Sequence, residues 1–272
     1  MGLAIVLASC TTFERTPTPM RTVQITEPAD AGECAVVLLP GTFDRAETFG
    51  AHGFDDIAND LGLDLELVAA DANRAYYRQQ VVLERLREDA ILPLRRAGKR
   101  VWIVGVSLGG VGALLYARDH VELGVEPTAA ARLAGDRATG TDTEIDDVDG
   151  LVLLAPYLGD DVVIEELLEA QGLKHWTPSE PVAAEDFGRH LWLWLKRWQR
   201  ADPETRPAIH LAFGDNDRFA VGNVLLSREL DPRHVHVAAG GGHDWDTWTP
   251  LWRRLLASGT FDVCRASTEA GA

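Results

Sequence analysis

The stretch VWIVGVSLGGVGALLYA (residues 101–117) decides the fold of this 272-residue chain. Its first six residues are apolar and mostly β-branched, which is typical of a strand covered on both faces of a parallel sheet. From Leu108 onward the stretch is rich in Ala and Leu, which favour a helix. Three glycines surround Ser107 between these two elements. We therefore predict a sharp turn from strand to helix with Ser107 at its centre.

Gly105, Ser107 and Gly109 fit the pattern G-x-S-x-G, in the strand–turn–helix context that this pattern requires. Such a turn exposes its central side chain at the carboxyl end of the strand. The N-terminus of the following helix adds positive potential where an oxyanion would form. A glycine-rich turn with an incidental serine is the alternative, but the flanking elements favour a nucleophile. Ser107 is the predicted nucleophile.

A serine hydroxyl needs a general base, and the base needs an orienting acid. GDNDRF (residues 214–219) directly follows the apolar run IHLAF, and GGGHDW (residues 240–245) directly follows HVHVAA. Because the carboxyl ends of parallel strands meet at one edge of a sheet, both segments should lie near Ser107. Of the eight histidines, His243 alone follows a glycine run at a strand end, so it is the predicted base. Asp215 and Asp217 are both candidate acids. Whichever of the two is not the acid would serve in a turn or a helix cap.

Strands alternate with helices along the chain. Predicted strands lie at 22–25, 34–42, 65–70, 101–106, 150–156, 209–214 and 234–240, and predicted helices at 53–63, 74–97, from 108, and 247–257. Residues 119–149 are acidic and lack steady periodicity, so we interpret them as a surface insertion, partly helical at best. The alternation predicts a mainly parallel sheet with helices on both faces.

These motifs together resemble those of the α/β-hydrolase superfamily, over essentially all of the chain after residue 20. GVSLGG is similar to the nucleophile elbow of that family, LLPGTFD (residues 38–44) to its oxyanion turn, GDNDRF to its acid loop and GGHDW to its histidine loop. The resemblance implies an α/β-hydrolase fold with a small cap insertion at about 157–207. In the family's acid loop the carboxylate lies three residues past the glycine, which favours Asp217 as the acid.

The resemblance also implies two backbone N–H donors for an oxyanion, Leu108 and Thr42. The His-Gly that is common in this turn is Pro40-Gly41 here, so the register between Thr42 and Phe43 stays open. No cofactor is implied. The cysteines and histidines show no metal-ligand spacing, so no metal site is predicted, and GVSLGG carries no Lys for a phosphate loop.

The segment between residues 157 and 207 is longer than a short crossover needs. It contains EELLEAQGL and the tryptophan-rich run HLWLWLKRWQ. One interpretation is a crossover helix that buries its aromatic side chains against the sheet. The other is a lid whose aromatic residues line an acyl or aryl pocket. Phe43, Trp194 and Trp245 are the candidate pocket residues, and Trp248 is a further one because it follows His243 closely.

This apparatus predicts a serine esterase of the EC 3.1.1 class that acts on a small-molecule ester. Ser107 would attack the carbonyl, His243 would act as general base, Asp217 would fix its tautomer, and an acyl-enzyme would form. A serine nucleophile argues against the epoxide and haloalkane branches, which by resemblance use Asp. The alternatives are acyl transfer to an alcohol by the same triad, since GGHDW slightly resembles the loop of mycolyl-transferring relatives, and a non-catalytic binding lipoprotein on this fold.

The composition, with 46% apolar and 25% charged residues, is typical of a soluble globular protein. The net charge of −16 comes without a visible basic patch. These features argue against a nucleic-acid partner and against docking on an anionic membrane surface.

The N-terminal run MGLAIVLASC (residues 1–10) resembles the lipobox signal of bacterial lipoproteins, in which the signal peptide is cleaved before an acylated cysteine. The resemblance implies lipidation of Cys10, a tether at 11–20, one domain at 21–265 and a tail at 266–272. It also implies a location in the bacterial cell envelope, lipid-anchored or periplasmic, with membrane contact only through the anchor. The alternative is a fortuitous apolar run in a cytoplasmic protein. Cys34 and Cys264 would then pair in an oxidising periplasm or remain two unpaired thiols.

Overall fold

The computed structural model describes residues 15–26, 33–121, 123–124 and 148–264. These residues contain seven strands: β1 (Thr22–Gln24), β2 (Cys34–Leu39), β3 (Leu65–Ala70), β4 (Arg100–Val106), β5 (Gly150–Leu154), β6 (Ala208–Gly214) and β7 (Val235–Ala238). They form one sheet in the order β1-β3-β2-β4-β5-β6-β7. β1 pairs antiparallel with β3, and every other neighbouring pair is parallel. The predicted fold class, a mainly parallel sheet with helices, is confirmed.

The helices of this part of the chain are α1 (Thr48–Ala51), α2 (Phe54–Asp60), α3 (Arg74–Arg78), α4 (Val82–Leu86), α5 (Leu92–Arg96), α6 (Leu108–His120), α7 (Asp161–Glu169), α8 (Phe187–Trp198), α9 (Ala220–Ser227) and α10 (Trp245–Ala257). A π-helical turn, Arg87–Ile91, joins α4 to α5. Two 3-10 turns, Pro232–His234 and Asp262–Cys264, precede β7 and end the described part.

The centre of the sheet is buried on both faces. Every residue of β2 and β5 is buried, and β4 is buried apart from Arg100. Apolar strands of this kind are stable only where helices cover both faces of a parallel sheet. The register aligns the carboxyl ends of the central strands, because Leu39 pairs with Gly105 and Val106 pairs with Leu154. The segments that follow these strands therefore meet at one edge.

The single long helix predicted at 74–97 is wrong, because this stretch is divided into three helices. Gln80 adopts a left-handed backbone conformation, with φ of 57°, which cannot continue an α-helix. Further on, Pro93 lies in the first turn of α5. Proline has no N–H to donate to the preceding turn, and the π-helical turn lies directly before it. The apolar periodicity of the sequence shows neither interruption.

A disulfide joins Cys34, the first residue of β2, to Cys264 in the last 3-10 turn, 230 residues further along the chain. The two Cα atoms are 5.5 Å apart. This settles the pairing that the sequence left open. The bridge lies at the amino end of β2, whereas Ser107 follows the carboxyl end of β4. It therefore lies at the opposite edge of the sheet from the elbow.

Residues 15–20, the described part of the predicted tether, lie against the domain. The Met20 amide donates to Asp89 Oδ2 at 2.7 Å, and the Tyr76 hydroxyl donates to the Pro17 carbonyl at 2.6 Å. Met20 itself is buried. The predicted lipobox with Cys10, the first part of the tether, most of the 119–149 insertion and the tail lie outside the described residues. No described helix has both the length and the apolar character that crossing a membrane requires.

Candidate active site

Ser107 occupies the turn between β4 and α6 with φ of 53° and ψ of −110°. Such a backbone costs a non-glycine residue on the order of 1–3 kcal/mol and persists only where the surroundings enforce it. The neighbouring positions must be glycine, because a side chain there would clash with nearby backbone atoms. A Cβ on Gly105 would lie 2.3 Å from the Gly109 carbonyl oxygen, and one on Gly109 would lie 2.1 Å from the Leu39 carbonyl oxygen. The strand–turn–helix geometry is that of the predicted elbow.

Three predicted side chains lie in one hydrogen-bonded row. His243 Nε2 is 2.9 Å from Ser107 Oγ, and His243 Nδ1 is 2.7 Å from Asp217 Oδ2. The Asp217 side chain is fully buried and His243 is 10% exposed. With Asp217 as acceptor, Nδ1 carries the proton and donates it, which leaves Nε2 to accept from the Ser107 hydroxyl. The row thus joins a hydroxyl, an imidazole and a carboxylate in the order that general-base chemistry requires.

The two candidate acids are distinguished by their contacts. Asp217 bonds His243, and its other oxygen, Oδ1, accepts from the Phe219 amide at 2.7 Å. Asp215 instead is exposed and accepts from the Gly240 amide at 2.6 Å. It joins the two loops and makes no contact with the imidazole.

The acid loop and the histidine loop pack directly on each other. The Asn216 amide donates to the Gly241 carbonyl at 3.0 Å, and a Cβ on Gly214 would lie 2.1 Å from the same carbonyl oxygen. On the other side Asp244 caps α10 by accepting from the Thr247 amide at 3.0 Å. His243 is therefore held between a glycine-lined contact and a capped helix.

Two aromatic rings contact His243 from different elements. Phe219 and Trp248 each place their ring centroid 4.9 Å from that of His243, at interplanar angles of 85° and 89°. Edge-to-face contacts of this kind are favourable and restrict the rotation of the imidazole. Trp248 is buried, whereas Phe219 is half-buried.

One predicted oxyanion donor, Leu108, directly follows Ser107, and the other, Thr42, belongs to the turn after β2. Leu108 is the first residue of α6, and the first N–H groups of a helix have no partner within it. The turn after β2 lies beside the serine, because a Cβ on Gly41 would lie 3.7 Å from Ser107 Cβ. Thr42 follows in this turn, which the Asp44 amide closes by donating to the Gly41 carbonyl at 3.2 Å.

The three candidate pocket residues have different environments. Phe43, next to Thr42, is 88% exposed. Trp245 is half-buried, stacks on His52 at 4.4 Å and donates its Nε1 hydrogen to Asp44 Oδ1 at 3.0 Å. Trp194 is only 1% exposed and belongs to the hydrophobic core, and its helix α8 packs on α6. A crossover helix would bury Trp194 in this way, whereas a lid would present it to the site.

Sequence reasoning missed Tyr157, Phe187 and Phe219 as neighbours of the site. Tyr157 follows the carboxyl end of β5, and its amide donates to the Ser107 carbonyl at 3.3 Å. The rule that located Asp217, a residue directly after a buried strand, would have located Tyr157 as well. Within the described ranges, no three His, Cys, Asp or Glu side chains group as ligands for a metal ion.

No protein-family model and no curated protein matches the sequence. Among solved structures, the chain is similar to the acetyl ester-xyloside bifunctional hydrolase from Caldicellulosiruptor lactoaceticus, with a TM-score of 0.52 and 18% identity over 88% of each chain. It is also similar to a ferulic acid esterase (TM-score 0.48, 15% identity, 84% of each chain). A third likeness is to Est1E from Butyrivibrio proteoclasticus (TM-score 0.46, 13% identity, 89% of this chain and 91% of that one). The first of these likenesses shows the fold.

Proposed function

Because the chain has the α/β-hydrolase fold, we propose that it is a serine hydrolase that cleaves carboxylic esters of small molecules. One observation carries the proposal: the unbroken row from Asp217 Oδ2 through His243 to Ser107 Oγ, with bonds of 2.7 and 2.9 Å. A buried carboxylate, an imidazole and a hydroxyl on a strained turn are what nucleophilic acyl transfer uses.

In the first half of the reaction Ser107 Oγ attacks the carbonyl carbon while His243 Nε2 takes its proton. The Asp217 carboxylate stabilises the imidazolium that forms. The N–H groups of Leu108 and Thr42 donate to the oxyanion of the tetrahedral intermediate, beside the positive N-terminus of α6. Collapse of the intermediate gives the acyl-enzyme, and the leaving alcohol takes the proton from His243.

In the second half His243 accepts a proton from water, which attacks the acyl carbonyl at the same oxyanion site. The carboxylic acid leaves as the proton returns to Ser107 Oγ. Since the Asp217 side chain is fully buried, its charge acts on the imidazole with little screening by solvent. An acceptor alcohol in place of water would turn the same cycle into acyl transfer.

The test is labelling with a fluorophosphonate probe, which reacts only with an activated serine. We expect the wild type and a Ser227→Ala control to be labelled, and Ser107→Ala and His243→Ala to remain unlabelled while keeping the wild-type circular dichroism spectrum. Absence of label on the folded wild type would overturn the hydrolase proposal and favour the binding lipoprotein. A panel of p-nitrophenyl esters of increasing chain length, with and without added alcohol, then separates hydrolysis from transfer.

We further propose a location in the bacterial cell envelope with a lipid on Cys10. The Cys34–Cys264 disulfide supports an oxidising compartment, because such bonds are rare in proteins kept in a reducing cytosol. Cells grown with an alkyne-tagged fatty acid should incorporate the tag into the wild type, and Cys10→Ser should lose it. A wild-type protein that carries no tag would contradict the lipid anchor.

A further inference from the structure

Three aromatic side chains that the proposed mechanism does not use form a continuous surface beside the triad. Tyr157 lies 5.1 Å from Phe219 and 6.0 Å from Phe187, measured between ring centroids, and Phe219 contacts His243. We call these three residues the aromatic wall. It crosses from the end of β5 to the start of α9 and the start of α8, so it comes from three elements.

Backbone hydrogen bonds fix the aromatic wall to the reacting groups. The Tyr157 amide donates to the carbonyl of Ser107, and the Phe219 amide donates to the carboxylate of Asp217. Tyr157 and Phe219 therefore keep their positions relative to Ser107 and His243, and Phe187 extends the wall through its contact with Tyr157. Tyr157 follows β5 and Phe219 follows β6, so the wall lies on the side of Ser107 where these two strands end.

The wall differs from the aromatic core. Phe49, Phe54 and Trp252 are fully buried and pack against one another in the core. Tyr157, Phe187 and Phe219 are all half-buried, so each leaves part of its surface uncovered. Adjacent half-covered aromatic rings next to a reactive serine are typical of a ligand-binding surface.

The wall also carries one polar atom. Among the described residues the Tyr157 hydroxyl makes no hydrogen bond. Burial, together with the charges of Asp160 and Asp161, raises the pKa of Tyr157, so this hydroxyl stays a neutral donor under alkaline conditions. A saturated chain lying on the wall would cover the hydroxyl without bonding it, which costs binding free energy. An aromatic ring with an oxygen substituent would both stack on the wall and bond the hydroxyl.

We propose that the aromatic wall binds an aryl group of the ester substrate, and that an oxygen substituent on this ring bonds the Tyr157 hydroxyl. The inference rests on the proposed ester chemistry and names the substrate class for the same site. Two sources could supply the aryl group, the acyl part and the alcohol part of the ester. The experiment separates these sources.

The experiment measures binding to the Ser107→Ala variant by titration calorimetry, so that turnover is not needed. In the acyl arm, methyl 3-phenylpropanoate is compared with methyl 3-cyclohexylpropanoate and with methyl 3-(4-hydroxyphenyl)propanoate. In the alcohol arm, 2-phenylethyl acetate is compared with 2-cyclohexylethyl acetate and with 2-(4-hydroxyphenyl)ethyl acetate. In one arm the phenyl ester should bind about 2- to 10-fold more tightly than its cyclohexyl counterpart. The arm in which this happens identifies the part of the ester that lies on the wall.

Second substitutions in the Ser107→Ala background assign the effect to residues. Phe219→Leu and Phe187→Leu should each reduce the preference for phenyl over cyclohexyl. Tyr157→Phe should remove an additional gain of about 2- to 10-fold from the ring hydroxyl and leave the phenyl preference intact. Tyr77→Phe is the matched control, because the Tyr77 hydroxyl is also unbonded but is buried against α6.

Equal dissociation constants for the phenyl and cyclohexyl esters in both arms would overturn the aryl assignment. A hydroxyl gain that survives Tyr157→Phe would overturn the role of Tyr157. Neither result would affect the fluorophosphonate labelling of the wild type, which tests the activated serine alone. Failure of this inference and failure of the proposed function are thereby distinguishable.

Discussion

Asp44 and Trp245 join the loop of Thr42, the proposed oxyanion donor, to the loop of His243, the proposed base. Trp245 lies two residues after His243, and Asp44 lies two residues after Thr42, so one hydrogen bond of 3.0 Å spans 201 residues of sequence. Asp44 Oδ2 also occupies the space that a Cβ on Gly41 would take, at 2.8 Å. Trp245, a predicted pocket residue, thus links the two loops through its indole N–H, and we call this hydrogen bond the brace.

Loss of this brace should lower turnover. We expect Asp44→Ala and Trp245→Phe each to reduce kcat for a simple ester by about 2- to 10-fold, since the hydrogen bond positions both loops. The double variant should be no slower than the slower single variant, because both remove the same interaction. Asp44→Asn keeps an acceptor oxygen and should recover most of the rate. Steady-state kinetics of the four variants provide the check, and multiplicative losses in the double variant would contradict the brace.

Individual side chains differed in how far the sequence could locate them. Ser107 and Asp217 each follow a buried strand and His243 follows the partly exposed edge strand β7, so the meeting of parallel strand ends at one edge was enough to bring them together. The contacts of Phe219 and Trp248 with His243 depend on ring orientation, which no periodicity records. Trp194 was ambiguous for another reason: a buried crossover helix and a lid have the same apolar composition.

Three histidines lie close together where β6, β7 and the 3-10 turn before β7 meet: His210, His234 and His236. The rings of His210 and His234 are 4.1 Å apart, and His210 Nδ1 is 3.3 Å from Thr260 Oγ1. Burial, with the nearby charges of His234 and His236, lowers the pKa of His210 to about 3. Burial also lowers the pKa of His234, against the charge of Asp231, and that of His236, where Arg254 adds to the effect.

This group should make the fold sensitive to mild acid. A histidine in the unfolded chain has a pKa of about 6.5. Below that pH the unfolded chain binds protons at these histidines, whereas in the folded chain their lowered pKa values keep them neutral. Stability is therefore full above pH 6.5 and falls as the pH decreases. At pH 5, protonation of His210 in the unfolded chain lowers the free energy of unfolding by about 2 kcal/mol. This corresponds to a decrease of about 4–8 °C in Tm.

Calorimetric scans at pH 7.5 and pH 5.0 test this expectation. His210→Gln should lose less Tm than the wild type over this interval, whereas His175→Gln, on the connection between α7 and α8, should lose as much as the wild type. Equal losses in all three proteins would show that other groups cause the acid sensitivity.

The elements were predicted more reliably than their ends. The strand patterns of the sequence located all seven strands, but β2, β5 and β7 end two to three residues earlier than expected. In each case the chain leaves the sheet to build the site. The division of the long helix at Gln80 depends on one backbone angle, which apolar periodicity does not reveal.

The disulfide closes nearly the full described chain into a loop. Constraining 230 residues restricts the unfolded state strongly, and native disulfides typically contribute about 2–5 kcal/mol. Cys34→Ala/Cys264→Ala should therefore unfold in urea with a free energy lower by about that amount. Its kcat at 25 °C should equal that of the wild type, because the bridge lies at the edge opposite Ser107.

The matched comparison for the double cysteine variant is the wild type with its disulfide reduced. Dithiothreitol should destabilise the wild type to the level of the double variant and leave the double variant unchanged. A wild type whose unfolding free energy does not respond to full reduction would contradict the contribution of the bridge. The sequence left this pairing open because two cysteines far apart in the chain carry no information on their separation in space.

The docking of residues 15–20 bears on where such an enzyme would work. Met20 is buried, and the Pro17 carbonyl accepts a hydrogen bond from Tyr76. The segment that could link an anchor at Cys10 to the domain therefore ends at Arg15. On the proposal that Cys10 is acylated, five residues lead from Cys10 to Arg15, and their reach at full extension is about 18 Å. A linker this short would hold the enzyme at the bilayer surface and keep it out of the surrounding fluid. It would meet first those substrates that partition into, or are released from, that surface.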